Sequence, residues 1–600
     1  MVRSILLLSA AATLAAADPR NITSGSVIPD EGYADQPYIV KTDDGAWLCV
    51  ITTGPGQEGA GGQHIVTRRS TDRGRTWTDL VDVEPSSGPE ASYAVLLKVP
   101  YGRVYVFYNH NTDNVREVIG DKPAYRDGKV RRVDSLGHFV FKYSDDHGRS
   151  WSARRYDIAQ RDFEIDRRNP YQGKLKFFWN VGKAFSHRGA GYVPLHKVGG
   201  FGEGFFTSNE GVLLRSANIL TERDAAKLTW ETLPEGDRGI RAPEGGGTVA
   251  AEHSFSELSD GSLFCVFRTI DGHAAHTYSR DGGRTWEPSQ YMRYADGRLM
   301  KHPRAANFAW RASNGKFLYW FHNHGGRFIR EHPRRRSIAY EDRNPVWLSG
   351  GEEADSPRGK VILWNEPEIV LYDDDPVERM SYPDFVEEDG HYYLTETQKE
   401  IARVHEVDPK LIEGLWNQGA GGVAGDGLLG AGVPLPAFAR RKPGGHGAED
   451  LRGGFTLDLW VRFGSFPPNR VFVDNRGEDG KGIALATVEG GAVELVMNDG
   501  RMENRWRSDR GALSGSGVHH VVAIVDGGPK IISFVVDGRL NDGGEERQFG
   551  WGRFSPYFRG IEGGAMRKGE GVLGLRMYGR ALRTSEAVGN YRAGAPTTGR

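Results

Sequence analysis

Short stretches in which apolar and polar residues alternate recur along the whole chain, and turns rich in Gly, Pro and Asp separate them. Examples are His64–Arg68, Phe139–Tyr143 and Phe455–Val461. Alternation with a period of two predicts β-strands whose two faces meet different surroundings. Outside the N-terminus there is no run of 18 apolar residues and no sustained heptad pattern, so we expect no membrane insertion. The pattern predicts an all-β protein.

An eight-residue motif follows several of these stretches. The pattern Ser-x-Asp-x-Gly-x-(Thr/Ser)-Trp occurs at Ser70–Trp77, Ser144–Trp151 and Ser279–Trp286. Its Asp carboxylate can accept hydrogen bonds inside a hairpin turn, its Gly supplies a positive φ, and its Trp packs beneath the turn. Eroded copies lie at Tyr340–Trp347 and around Arg215–Asn218. The motif therefore indicates a repeated structural turn.

The spacing of the motif predicts a repeat architecture. From residues 70, 144, 216, 279 and 340, the intervals are 74, 72, 63 and 61 residues. An interval of this length can hold one four-stranded sheet with long loops. Together with a further group of strands around Tyr382–Thr397, the spacing predicts a six-bladed β-propeller.

A second domain follows, because the composition changes after about residue 405. The segment from Gly414 to His446 is rich in Gly and Pro, and clearly alternating strands come after it. These strands predict a β-sandwich. We expect a signal peptide at 1–17, the propeller at 18–405 and the sandwich at 406–600.

The N-terminus is typical of a secretory signal. Arg3 precedes the apolar run Ile5–Leu14, and three alanines end at Ala17, where we expect cleavage. The protein is thus predicted to be secreted or periplasmic. Cys49 and Cys265 each lie within an apolar strand-like run, so they are interpreted as core residues; the sequence does not decide whether they form a disulfide.

Composition and charge limit the classes of molecule that the protein is expected to bind. The 600 residues carry a formal net charge of -2, which argues against nucleic acid or an anionic membrane, since both select clustered cations. The 14 Trp and 23 Tyr residues leave aromatic side chains available for stacking on sugars. There is no Gly-rich phosphate loop and no His-Glu-x-x-His motif, so we expect no cofactor and no metal site.

The eight-residue motifs resemble the Asp-boxes, or BNR repeats, of sialidases and related propellers. The C-terminal part resembles laminin-G/concanavalin A-like domains through Phe455–Val461, His519–Asp526, Phe534–Gly538 and Leu575–Leu582. These resemblances imply that the protein acts on a glycan or polysaccharide. Asp-boxes also occur in propellers that are not sialidases, so they indicate fold more than activity.

Two segments resemble those that carry sialidase catalysis. The stretch from Glu252 to Arg268 is similar to the segment in which a Glu polarises a tyrosine nucleophile and a following Arg binds the substrate carboxylate. Met380–Glu396 is similar to the segment that carries the tyrosine. The match implies that Tyr382 is the nucleophile, Glu252 its base and Arg268 a substrate ligand. A phenol, with a pKa of about 10, needs such a carboxylate to take its proton.

The resemblance also implies an acid and a further arginine. Sialidases place an acid in the loop ahead of the first Asp-box, where Glu58 is the only carboxylate, with His64 as the next choice. Before the fourth Asp-box, Arg336 is the best-aligned arginine, and Arg327 and Arg330 are alternatives.

The chain departs from the sialidase pattern at Asp35. Sialidases have Arg-Ile-Pro there, and this chain has Asp35-Gln36-Pro37, which would repel a substrate carboxylate instead of attracting it. His253 and His322 are further candidates for substrate contacts, because imidazoles can act as acids or bases.

The leading hypothesis is a secreted, sialidase-like glycoside hydrolase that removes a terminal sugar with retention of configuration, possessing the specificity of an exo-sialidase or an altered one. Two alternatives stay open. One is a polysaccharide lyase that acts on a uronate with His and Tyr. The other is a glycan-binding protein without catalysis.

Overall fold

The computed structural model describes residues 18–122, 124–202, 205–325, 342–431, 451, 453–515, 517–558, 561 and 563–595. In these residues strands far outnumber helices, which confirms the predicted all-β class. The signal segment 1–17 and the arginines Arg327, Arg330 and Arg336 lie outside the described residues. Among the described residues, no helix is long and apolar enough to cross a membrane.

The chain divides into two compact units. The large unit comprises Gly25–Gln418 and Glu545–Phe549, and the small unit comprises the described parts of Met1–Ser24, Gly419–Gly544 and Gly550–Arg600. The predicted boundary at residue 405 falls inside a strand, Ala402–Val407, that belongs to the large unit. The division lies further along, because that strand is paired within its sheet and a short helix follows it.

Six antiparallel sheets of four or five strands make up the described part of the large unit. The first strand of the chain, β1 (Ser26–Ile28), joins the last of them. The next two sheets in the chain contain β2 (Tyr33–Lys41), β3 (Trp47–Gly54), β4 (His64–Ser70) and β5 (Val81–Asp82), and then β6 (Ala91–Lys98), β7 (Val104–His110), β10 (His138–Ser144) and β11 (Tyr156–Asp157). A small separate ribbon is formed by β8 (Val118–Ile119) and β9 (Lys129–Val130).

The following sheets contain β12 (Phe177–Trp179), β13 (Phe185–His187), β14 (Ala190–Gly202), β15 (Phe205–Ser216) and β16 (Glu231–Leu233), and then β17 (Ala251–Glu257), β18 (Leu263–Arg268), β19 (Ala275–Ser279) and β20 (Gln290–Tyr291). The fifth contains β21 (Phe308–Arg311), β22 (Phe317–Phe321), β23 (Val346–Ser356), β24 (Gly359–Trp364) and β25 (Glu368–Leu371). The last contains β26 (Phe385–Glu388), β27 (His391–Thr397) and β28 (Ala402–Val407), with β1 paired to β28 at its edge. Because the first strand completes the last sheet, the two ends of the large unit are joined, as in a β-propeller.

Two α-helices lie in the described part of this unit, α1 (Glu164–Arg168) and α2 (Pro409–Trp416). Asp408 caps α2 by accepting a hydrogen bond from the backbone N–H of Lys410, and Pro409 suits the first helical position. The helix buries its apolar side chains, and the Trp416 indole donates to the carbonyl of Phe317 at 2.8 Å. This contact fixes the helix against β22.

The eight-residue motifs form the turns that their sequence predicts. In the first, Asp72 Oδ1 accepts from the Ser70 hydroxyl at 2.8 Å and from the Thr76 N–H at 2.9 Å. The motifs at 144–151 and 279–286 repeat these bonds. In the eroded copy around Arg215–Asn218, Asn218 replaces the Asp and accepts from the Ser216 hydroxyl at 3.1 Å. The motif is therefore a structural turn. Cys49 and Cys265 are buried and free, as core residues would be.

The described residues of the small unit form two sheets around one core. One sheet contains β29 (Leu428–Ala431), β30 (Phe455–Phe463), β35 (Gly517–Asp526), β36 (Ile531–Val536), β37 (Arg539–Leu540), β38 (Gly552–Arg553) and β40 (Val572–Tyr578). The other contains β31 (Val471–Asp474), β32 (Gly482–Val488), β33 (Ala492–Asn498), β34 (Glu503–Arg507) and β39 (Arg567–Lys568). Alternate apolar residues of both sheets form a shared core, as in a β-sandwich. A helix, α3 (Thr584–Arg592), follows the last strand.

A buried polar network lies within the small unit. Asp458 is fully buried and accepts from His520 Nε2 at 3.1 Å and from Arg576 Nη1 at 3.3 Å. The Asn590 side-chain amide, on α3, donates to the other Asp458 oxygen. Because these bonds satisfy a buried carboxylate, they connect α3 to the sheet.

Candidate active site

Bulges in β2, β6 and β17 place the candidate catalytic residues. The pairing register shifts between Asp35 and Tyr38 in β2, and between Ala251 and Ser254 in β17. Gln36 and Glu252 lie inside these bulges with φ of 53° and 58°. The same irregularity occurs in β6, where Tyr93 has φ of 59°. Bulges redirect side chains and are frequent beside active sites.

Tyr382 occupies a comparable position ahead of β26. Its φ is 48°, and its neighbour Ser381 pairs with Thr397 outside the regular ladder. Positive φ is unfavourable for a tyrosine, so the surrounding hydrogen bonds must hold this conformation. The strained backbone therefore belongs to both members of the predicted catalytic pair, Glu252 and Tyr382.

The predicted pair is in direct contact. Tyr382 Oη donates a hydrogen bond to Glu252 Oε1 at 2.9 Å, and both side chains are buried. Arg268 Nη1 lies 3.1 Å from the other oxygen, Glu252 Oε2. Burial, followed by the charge of Glu252, raises the pKa of Tyr382 well above its ordinary value. The phenol therefore stays protonated until Glu252 takes its proton.

Arg343 is a buried arginine of this site that the sequence interpretation missed. Its Nη1 donates to the Ser381 hydroxyl at 2.6 Å, one residue before the nucleophile candidate. It interacts electrostatically with Tyr382, Arg268 and Glu252. The predicted third arginine, Arg336, lies outside the described residues. Arg343 sits in the eroded fourth motif, and for that reason it was interpreted only as part of a turn.

Lys399 brings Asp35 and Glu58 beside the nucleophile candidate. Its Nζ lies 2.8 Å from Asp35 Oδ2 and 3.4 Å from Glu58 Oε2. The same ammonium group is 4.2 Å from the centroid of the Tyr382 ring. The sequence gives no local signal for Lys399, because it comes just after a strand and 364 residues from Asp35.

A second cation holds Glu58 from the other side. Arg132 Nη2 donates to Glu58 Oε1 at 2.8 Å, and its Nε donates to Asp134 Oδ1 at 2.9 Å. Tyr93, the residue in the β6 bulge, donates to Asp134 Oδ2 at 2.5 Å. Neither Arg132 nor Asp134 was predicted from the sequence, since no motif includes them.

The two carboxyl groups next to Lys399 have pKa values that move in opposite directions. For Asp35, burial outweighs the attraction of Lys399 and raises the pKa. For Glu58, burial is outweighed by Lys399 and Arg132, which lower the pKa. Asp35 therefore holds a proton more readily than Glu58 does. Such a division is how neighbouring carboxyls take up different roles.

The three predicted histidines are not brought into this cluster. His64 Nε2 is 2.6 Å from Glu31 Oε2, and its Nδ1 is 2.9 Å from the Glu84 carbonyl. His253 stacks on Phe267 with a centroid distance of 4.8 Å, and burial lowers its pKa to about 3.

His322 is also a core residue. Its ring stacks on that of His302 at 5.8 Å, and burial lowers its pKa well below the ordinary value. Among the contacts within the described residues, none joins His64, His253 or His322 to Tyr382. Their role as substrate contacts stays a prediction, because in this structure His64 is paired with Glu31, His253 packs on Phe267 and His322 packs on His302.

No set of three or more His, Cys, Asp or Glu side chains in the described ranges is arranged to hold a metal ion. The cluster around Tyr382 contains a phenol with a carboxylate acceptor, a carboxyl with a raised pKa, and buried cations. These are the components of nucleophilic catalysis assisted by general acid and base.

Comparison with known proteins agrees with part of the sequence interpretation. The family model of the BNR/Asp-box repeat matches residues 277–288, which confirms the third Asp-box. No curated protein sequence matches significantly.

Several solved structures are similar to the chain. A protein of unknown function from Dyadobacter fermentans is 15% identical over 64% of this chain and 98% of its own, with a TM-score of 0.44. The NanB sialidase from Streptococcus pneumoniae is 14% identical over 66% of this chain and 70% of its own, with a TM-score of 0.43. Trypanosoma rangeli sialidase is 14% identical over 95% of this chain and 96% of its own, with a TM-score of 0.41. Activity does not transfer at identities this low, so the function must come from the site.

Proposed function

We propose that the protein is a glycan-active enzyme of the sialidase superfamily, a glycoside hydrolase that removes a terminal sugar with Tyr382 as nucleophile and Glu252 as its base. The observation that carries this proposal is the buried hydrogen bond of 2.9 Å from Tyr382 Oη to Glu252 Oε1. The Asp-box repeat supports the superfamily. Export of the protein, predicted from residues 1–17, stays a prediction.

The proposed reaction has two displacement steps. Tyr382 Oη attacks the anomeric carbon while its proton passes to Glu252, and the bond from that carbon to the leaving oxygen breaks. An acid protonates the leaving oxygen. Water then attacks the anomeric carbon, giving a proton to the same acid group, and the bond to Tyr382 breaks as Glu252 returns the phenol proton. Two inversions give net retention.

Glu58 is the acid predicted from the sequence, and we propose Asp35 as a second candidate for that role. Lys399 and Arg132 lower the pKa of Glu58, which favours the ionised form and disfavours proton donation. The pKa of Asp35 is raised by burial, as an acid requires. Both carboxyls are paired with Lys399, and the Lys399 ammonium contacts the Tyr382 ring. Either carboxyl is therefore close to the proposed nucleophile.

Leaving groups of different basicity distinguish the two carboxyls. An activated aryl leaving group needs little protonation, whereas a sugar leaving group needs a full proton. We expect Asp35→Asn to slow hydrolysis of a disaccharide far more than that of a dinitrophenyl glycoside. Glu58→Gln should slow both substrates to a similar extent. The reverse pattern would assign the acid role to Glu58.

The proposed function is tested by a panel of chromogenic glycosides and polysaccharides with the wild-type protein and Tyr382→Phe. We expect Tyr382→Phe to lose roughly 10³-fold or more in kcat, as removal of a nucleophile does. Tyr319→Phe is a matched control, because Tyr319 is a fully buried tyrosine of the large unit whose hydroxyl has no partner among the described residues. Unchanged product formation by Tyr382→Phe contradicts the mechanism.

The same panel tests the two alternatives. An unsaturated uronate product, which absorbs in the ultraviolet, would indicate the polysaccharide lyase. Glycan binding by the wild-type protein without turnover would indicate a glycan-binding protein. The hydrolase is preferred because the Tyr382–Glu252 contact supplies a nucleophile with its base, while the predicted histidines pack elsewhere.

A further inference from the structure

We propose that Lys399 and Glu58 bind neighbouring hydroxyl groups of an uncharged terminal sugar, so that the preferred substrate carries no carboxylate. This inference rests on the proposed function, because it places the sugar against Tyr382. It specifies the substrate class of that site.

Lys399 and Glu58 form the accessible part of the cluster. Their side chains are 23% and 31% exposed, whereas the Asp35 side chain is 1% exposed. Lys399 Nζ and Glu58 Oε2 are 3.4 Å apart, so a donor and an acceptor are presented side by side. A sugar with two adjacent hydroxyls matches this pair, since one hydroxyl accepts from the ammonium and the other donates to the carboxylate.

Each member of the pair is fixed by a partner behind it. Asp35 Oδ2 holds the Lys399 ammonium at 2.8 Å, and Arg132 Nη2 holds the Glu58 carboxylate at 2.8 Å. Groups that are already oriented lose little entropy when a ligand binds. The pair therefore has the preorganisation of a recognition site.

The pair also lies where the reacting sugar must lie. The Lys399 ammonium is 4.2 Å from the centroid of the Tyr382 ring, on its face. A sugar whose anomeric carbon meets Tyr382 Oη would have its ring hydroxyls near groups that contact the same tyrosine. Lys399 and Glu58 are then specificity-determining residues of the proposed reaction.

The Glu58 carboxylate disfavours an anionic sugar beside Lys399. Glu58, the most exposed carboxylate in the Lys399 cluster, would repel a substrate carboxylate at short range. An uncharged sugar meets no such repulsion and can use both charges of the pair as hydrogen-bond partners.

The first measurement compares kcat/KM for aryl glycosides of uncharged sugars, of a uronic acid and of sialic acid with the wild-type protein. We expect turnover of at least one uncharged glycoside and much lower turnover of both anionic ones. Efficient hydrolysis of the sialoside or the glucuronide, with uncharged glycosides untouched, overturns the inference and leaves the proposed hydrolase in place.

The second measurement tests the Lys399–Glu58 pair with substrate analogues that lack single hydroxyl groups. Lys399→Met and Glu58→Gln should each raise KM for the hydrolysed glycoside about 10- to 100-fold, the effect of losing one charged hydrogen bond. On the deoxy analogue that lacks the matching hydroxyl, each variant should behave like the wild-type protein. A purely structural role would lower activity on both substrates equally, and that result overturns the inference.

Lys98→Met is the matched control. Lys98 belongs to the same unit, its side chain is 30% exposed, and it is paired with Asp43. It is the last residue of β6, whereas Tyr93 lies near the start of that strand. Lys98→Met should leave KM unchanged on every substrate. An effect equal to that of Lys399→Met would show that loss of any paired lysine explains the result, and would overturn the assignment.

Failure of the proposed function gives a different outcome. If no glycoside in the panel is hydrolysed, the hydrolase proposal fails, and the inference is then decided by binding alone. Titration of the uncharged monosaccharides against the wild-type protein and Lys399→Met measures this. Binding that the substitution weakens at least tenfold supports the recognition pair, and absent or equal binding overturns it.

Discussion

The two oxygens of the Glu252 carboxylate contact different residues, and one substitution can test the contact with Tyr382. Its Oε1 accepts the hydrogen bond from Tyr382, and its Oε2 faces Arg268 Nη1 at 3.1 Å. Glu252→Gln keeps the size of the side chain and an oxygen that can accept from the phenol. It removes the ability to take the phenol proton. The substitution therefore tests the base and leaves the geometry of the pair nearly intact.

The expected loss follows from the chemistry of the pair. A positioned general base contributes roughly 10²- to 10⁴-fold in rate, so Glu252→Gln should lower kcat by that factor. Residues that act as a unit are not additive. The double variant with Tyr382→Phe should then be little worse than Tyr382→Phe alone, because without the phenol there is no proton for Glu252 to take.

The assay is kcat and KM on the glycoside that the substrate panel identifies, for the wild-type protein, both single variants and the double variant. Breaking a buried ion pair costs about 3–5 kcal/mol in stability, and Arg268 would lose its counter-charge, so unfolding must be measured alongside. Additive losses in the double variant, at temperatures where all four proteins are folded, would refute the idea that Glu252 acts through Tyr382.

Three further predictions concern stability. Asp146→Ala removes the acceptor of one Asp-box turn and should lower the free energy of unfolding by about 1–3 kcal/mol in urea titrations. Burial of the Glu84 carboxyl favours protonation, but hydrogen bonds led by that from Arg155 outweigh it and lower its pKa to about 2. The ionised carboxylate stabilises the fold above about pH 4.5, and this stabilisation is lost as the pH falls towards 2. Glu84→Gln should therefore lower the free energy of unfolding by about 3 kcal/mol at neutral pH, and the stability of the variant should depend less on pH between about 4.5 and 2. Asp458→Ala in the small unit should cost about 3–5 kcal/mol by calorimetry, because the cations around a fully buried carboxylate lose their partner. Substitutions without a measurable change would contradict each of these assignments.

Much of the fold could be predicted because its signals are local. Alternation defines the strands, and each Asp-box turn is closed by groups within eight residues, as the bonds of Asp72 to Ser70 and Thr76 show. The domain boundary was less accessible. Residues 402–407 are a strand of the large unit, and only their pairing with β27, which is a tertiary contact, reveals this.

The candidate site divides in the same way. Glu252 and Tyr382 could be predicted because each lies in a recognisable segment, and the structure brings them together. Lys399 and Arg132 could not, since their partners Asp35 and Glu58 lie far away in the sequence. The change at Asp35 was visible, but the cation that accompanies it was not.

The histidine predictions relied too much on nearness in the sequence. His253 follows Glu252 directly, and the sequence suggests that both reach the same site. In the structure the bulge turns Glu252 towards Tyr382, while the His253 ring packs on Phe267. Adjacent strand residues face opposite sides, so proximity in sequence was a poor guide to proximity in the site.

The central claim is that Tyr382 attacks the sugar, and the most direct test is to trap the covalent intermediate. A fluorinated aryl glycoside of the sugar that the panel identifies should form the glycosyl-enzyme quickly and release it slowly. Intact-protein mass spectrometry should show one added glycosyl group, and peptide mapping should place it on Tyr382. The label should be missing from Tyr382→Phe. A label on Glu58, Asp35 or another carboxylate, with Tyr382 unmodified, would contradict the account.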